Sequence, residues 1–134
     1  MRRTIVLLLA LLAACAAETP QKKLFGELDS ATSWMATLQF AGEKWIANSV
    51  PDSFLRDCVG TAVPVFQDGI QSIDASRAPG DLRRELRLQL NRSIELAFGL
   101  RSAMSRGDRA AATRIVAQLR AANAVVQRLE STDR

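Results

Sequence analysis

Residues 24–46 read LFGELDSATSWMATLQFAGEKWI, and the spacing within this stretch decides the fold. Apolar or small residues fall at Leu24, Leu28, Ala31, Met35, Leu38, Gly42 and Trp45. Steps alternating between four and three keep side chains on one stripe of an α-helix, the seam of a bundle or coiled coil. Phe25, Thr32, Gln39 and Ile46 widen that stripe. The pattern predicts a helix over about 24–48.

Working outward, the same period returns three times. Ser49-Val50-Pro51-Asp52 has the order of a helix start, with Ser at the cap and Pro in the first turn. The helix it predicts, about 51–75, has Leu55, Cys58, Val59, Ala62, Phe66, Gly69, Ile70 and Ile73 on one face. Pro64 falls in its middle, where it removes a backbone donor and crowds the carbonyl of Gly60. A kink is expected there, with the helix continuing beyond it. Ser76 to Gly80 is a break. Asp81 opens a helix over about 81–105, with Leu82, Leu86, Leu90, Ser93, Ala97, Leu100 and Met104 inward and arginines outward. Gly107 is a good helix stop and Asp108 a good cap for a helix over about 108–130. Its seam is Ala112, Ile115, Leu119, Ala122, Val126 and Leu129.

Helices of roughly equal length joined by short breaks must lie antiparallel to their neighbours. The expected fold is therefore all-α, an antiparallel up-down-up-down four-helix bundle over residues 24–134. The runner-up is a pair of stacked helical hairpins. Gly107-Asp108-Arg109-Ala110-Ala111 loosely resembles the inter-helix turn of tetratricopeptide repeats, but no second copy occurs.

Upstream, Arg2 and Arg3 precede an apolar run from Ile5 to Leu12, followed by small residues, which is the order of a secretory signal. The run is shorter than the roughly 20 residues needed to cross a bilayer. Its ending, Leu12-Ala13-Ala14-Cys15, resembles the lipobox of bacterial lipoproteins in all four positions. The resemblance covers the first 15 residues only. It implies a signal peptide over 1–14, cleavage between Ala14 and Cys15, and thioether lipidation of Cys15 with an acylated (palmitate-type) N-terminus. Ala16 after the Cys implies the periplasmic face of the outer membrane rather than the inner one. More than one acyl chain gives firm membrane attachment where a single chain does not. Residues 15–23 then read as the lipidated Cys and a polar tether containing Pro20.

With Cys15 carrying lipid, Cys58 is the one remaining thiol and an intramolecular disulfide is excluded. It is expected in the core. The net charge of +4 hides a division. From Cys15 to Pro79 there are five basic residues against eight acidic; from Gly80 onward there are eleven arginines against six acids. In a bundle these halves become two faces. The basic one, with Arg83, Arg84, Arg87, Arg114 and Arg120, is a candidate contact for anionic lipid or an acidic envelope protein. Internal pairing with the acidic helices is the competing account. A nucleic-acid partner is not expected, because no aromatic residues interleave with the arginines.

The chain has neither His nor Tyr, which removes serine and cysteine triads, His-ligated metals and haem, and the Glu-x-x-His di-iron signature. Asp52 with Asp57 and Asp68 with Asp74 fall on outward positions and converge on nothing. Met35 and Met104 occupy seam positions, where Met is a gap filler. Arg106-Gly107-Asp108 spells an adhesion tripeptide, but a helix stop followed by a cap already accounts for it. No catalytic residue, cofactor or metal is expected, and no enzymatic activity. Trp34, Leu38 and Trp45 share one side of the first helix and form a candidate strip for a partner or ligand. Two functions remain: a membrane-anchored binding or scaffolding module of the envelope, and a periplasmic carrier of a small apolar ligand inside the bundle.

Overall fold

Thr19 starts the first helix by accepting a hydrogen bond from the Lys22 backbone N–H at 3.2 Å, with Pro20 supplying the fixed φ that suits a first turn. In the computed structural model, which describes residues 18–133, five α-helices follow in order. They are α1 (Pro20–Glu27), α2 (Asp29–Ile46), α3 (Asp52–Ala75), α4 (Gly80–Ser105) and α5 (Arg109–Thr132). The all-α class is borne out: among the described residues no strand occurs.

The helix expected over 24–48 differs in two ways. It begins at Pro20, so the last four residues assigned to the tether are helical. It is also interrupted at Leu28, whose ψ of 0° departs from helical values. There the Leu28 N–H is shared between the carbonyls of Leu24 and Phe25, at 3.0 and 3.2 Å. Leu28 is itself buried, so the bend leaves the apolar stripe unbroken.

The start of α3 also departs from expectation. Ser49 makes no cap; Pro51 occupies that position and no side chain caps the helix. Ser49 instead completes the end of α2. Its N–H bonds to the Lys44 carbonyl at 2.8 Å and the Asn48 N–H to Trp45 at 3.0 Å, with Asn48 at φ +58°. This is a Schellman closure. Gly107, at φ +64°, closes α4 the same way, and the Asp108 carboxylate accepts the Ala111 N–H at 2.9 Å, as expected for a stop followed by a cap. The α3 helix runs through Pro64 without a break. Pro64 and Gly60 are both exposed, so water can reach the carbonyl left without a donor.

Each long helix packs on two others: α2 on α3 and α5, and α4 on α3 and α5. Two glycines set the closest approaches. A methyl on Gly42 would meet a Val116 methyl at 2.6 Å, and one on Gly69 would meet Leu90 at 2.6 Å and Leu28 at 3.3 Å. The expected seams are the core. Met35, Leu38, Leu55, Phe66, Leu100 and Leu119 are all fully buried, while Ile70, Leu82, Ile115 and Leu129 sit half-buried at its edge.

Candidate functional site

The expected lipidation and cleavage positions, Cys15 and Ala14, lie outside the described residues. No described helix is long and apolar enough to cross a membrane.

The candidate strip Trp34–Leu38–Trp45 is not a surface. Leu38 is fully buried and Trp45 is 3 % exposed; only Trp34 reaches partly into solvent. The cause is that Leu38 and Trp45 belong to the same four-three seam as Met35 and turn into the core with it. Trp45 closes one end of the core. Its indole N–H donates to Asp52 Oδ1 at 2.7 Å, and the Arg109 guanidinium lies over its ring at 4.8 Å from the centroid. Arg109 also donates to the Ile46 carbonyl at 3.3 Å and to the Asn48 side chain. This cluster ties the α2–α3 turn to the start of α5. Helical spacing does not reveal it, because Trp45 and Asp52 lie on different helices and Arg109 joins them only when the helices pack.

The basic residues divide by partner. Arg87 bonds Asp74 on α3 through Nε at 3.0 Å, and Arg120 bonds Glu43 on α2 at 2.8 Å. Arg84 pairs within its own helix with Asp81 at 3.3 Å, and Arg83 donates to the Ala78 carbonyl at 3.0 Å. Of the five residues expected to meet an anionic surface, only Arg114 stands exposed with no such bond. Arg87 and Arg120 do what the competing account says: they link the basic helices to the acidic ones. These pairs are exposed, so each contributes at most about 1 kcal/mol.

Cys58 is buried at 8 % exposure on the inward face of α3. Burial pushes its thiol pKa up, and the neighbouring Asp57 carboxylate adds to the shift. Both effects oppose the thiolate, so the thiol is suited to packing rather than nucleophilic work. Among the described residues no group of three or more metal-ligating side chains comes together. Grooves flank α1 on both sides, and a third runs between α4 and α5 past Leu88, Arg92, Leu96 and Gln118. None of the three has Trp34, Trp45 or Phe66 in its walls. Core polar groups are few: the Ser93 hydroxyl donates to the Gln89 carbonyl at 2.8 Å, while Asn123 Oδ1 is buried without a partner. Compared with known protein families, curated proteins and solved structures, the chain matches none.

Proposed function

We propose that this chain is a lipid-anchored bacterial envelope protein whose helical domain is a binding or scaffolding module. The observation that carries the reading is Leu12-Ala13-Ala14-Cys15 after a short apolar run, followed within a few residues by a folded helix start at Thr19-Pro20. From Cys15 to Pro20 the chain can reach about 17 Å when extended. On this reading the start of α1 is held close to the lipid surface, on the periplasmic face of the outer membrane. The four long helices form an up-down-up-down bundle, with α1 as a short extension of α2 at its anchored end.

Dense packing favours a module that works through its surface over a carrier with a ligand inside. Gly42 and Gly69 leave no room for a methyl group, and Phe66 and Met35 are fully buried. The direct test is metabolic labelling with a fatty acid. The wild-type chain is expected to incorporate label and Cys15→Ser to lose it, with unprocessed precursor accumulating. Label retained by Cys15→Ser would end the anchored reading.

A further inference from the structure

The α3–α4 packing seam has two ends of different character. At one end Arg87 of α4 bonds Asp74 of α3, so charge is matched across the seam. Five turns earlier on α3, at the same bearing, stands Arg56. On α4, Phe98 and Arg101 follow Arg87 by eleven and fourteen residues, which returns them to within about 20° and 40° of its bearing. All three are exposed, and among the described residues Phe98 is one of four large apolar side chains that are exposed, at 42 %. The Arg101 guanidinium lies over the Phe98 ring at 5.0 Å from its centroid. Half-buried Ile94, one turn before Phe98, packs against the core.

Among the described residues neither Arg56 nor Arg101 forms an ion pair with a carboxylate. Asp52 accepts the Trp45 indole N–H, and Asp108 accepts the Ala111 N–H as a helix cap. Asp57 is turned about 100° away from Arg56 on α3. Glu95 lines the groove between α4 and α5, turned about 120° from Arg101 and about 60° from Phe98 on α4. The result is two exposed guanidiniums and an exposed aromatic ring, with Arg101 stacked on one face of that ring, on a packed pair of helices.

We propose that this Arg56–Phe98–Arg101 surface docks an acidic segment of a partner protein. Its carboxylate would be held by the two guanidiniums, and an adjacent apolar side chain would seat on Phe98 and Ile94. The chemistry fits: guanidinium forks hold carboxylates in paired hydrogen bonds, and arginine and aromatic residues are enriched in protein interfaces. A flat anionic bilayer fits less well. It would meet Asp57 and the outer faces of both helices together with the arginines, whereas a narrow segment lying in the seam would not. The inference deepens the binding-module reading by naming a surface and a partner chemistry, and it does not depend on the lipid anchor.

The test uses the full chain in neutral detergent and a labelled 20-residue synthetic peptide, helical, with glutamates along one face and leucines along the other. Binding is read by fluorescence anisotropy, and each variant is checked for helicity and melting temperature. The wild type should bind, and rising salt should weaken binding. Arg56→Glu with Arg101→Glu should weaken it at least tenfold, and Phe98→Ser several-fold. Arg92→Glu with Arg114→Glu, an equal charge change away from the seam, should stay within twofold. Absence of wild-type binding, or equal loss with both arginine pairs, overturns the inference. Loss only with Arg92 and Arg114 overturns it too, yet leaves the module reading standing with its surface elsewhere. Binding to phosphatidylglycerol vesicles that needs Arg56 and Arg101, with none to the peptide, overturns it in favour of a lipid surface.

Discussion

At the scale of single residues, Cys58 and the glycines make the sharpest expectations. A thiol that is both buried and held neutral should resist alkylation in the native domain and react once denatured. The raised pKa has a consequence for stability. In the unfolded chain the thiol ionises from about pH 8.5, while in the folded chain it stays protonated to higher pH. Its contribution is therefore intact below that pH and declines as pH rises through the folded pKa. Chemical denaturation across pH 7–10 should show a steeper alkaline loss for the wild type than for Cys58→Ala. An equal slope would mean the thiol is not shielded. Gly60 and Gly42 should respond in opposite directions. An added methyl at Gly60 meets nothing within 4 Å, so Gly60→Ala should stabilise by about 0.5–1 kcal/mol through helix propensity. Gly42→Ala gains the same propensity but must displace Val116, and overpacking costs about 1–3 kcal/mol, so the net change should be a loss. Paired urea titrations of the two variants decide it.

Elements were legible where one stripe of one helix carried the signal. Leu119 falls in the α5 seam by spacing alone and is fully buried. Leu119→Ala should cost about 2–5 kcal/mol in equilibrium unfolding, and a change below about half a kcal/mol would put the α5 register in error. Gly107 and Asp108 were equally readable, because a left-handed stop and a side-chain cap are local. The bend at Leu28 was not, since its residue keeps its place in the stripe on both sides. Ser49 was misread for a related reason. A Ser before Pro suits a cap, but here its backbone is already committed to closing α2. Least legible was the Trp45–Asp52–Arg109 cluster, in which tertiary packing turns a nominally outward Asp into an acceptor for a core indole. Arg109→Ala removes a bond to the Ile46 carbonyl and a cation over Trp45. It should lower stability by about 1 kcal/mol, and thermal melts monitored at the tryptophans should report it.

For the whole molecule, charge is less polarised in space than along the chain, because Arg87 and Arg120 reach across to Asp74 and Glu43. That pairing was one of two accounts open from the sequence, and composition alone could not choose between them. The described arginines without ion pairs that remain, among them Arg56, Arg92, Arg101 and Arg114, are spread over α3, α4 and α5. In the proposed reading, the N-terminal Cys15 motif is what would place the domain in the cell, and that reading depends on it most. The most direct test is the intact mass of the protein extracted from bacterial membranes, with the N-terminal peptide sequenced. The account predicts a chain that begins at Cys15 and carries a thioether-linked diacylglycerol and an N-terminal acyl group. A mature chain that begins at another residue, or an unmodified Cys15, would contradict it.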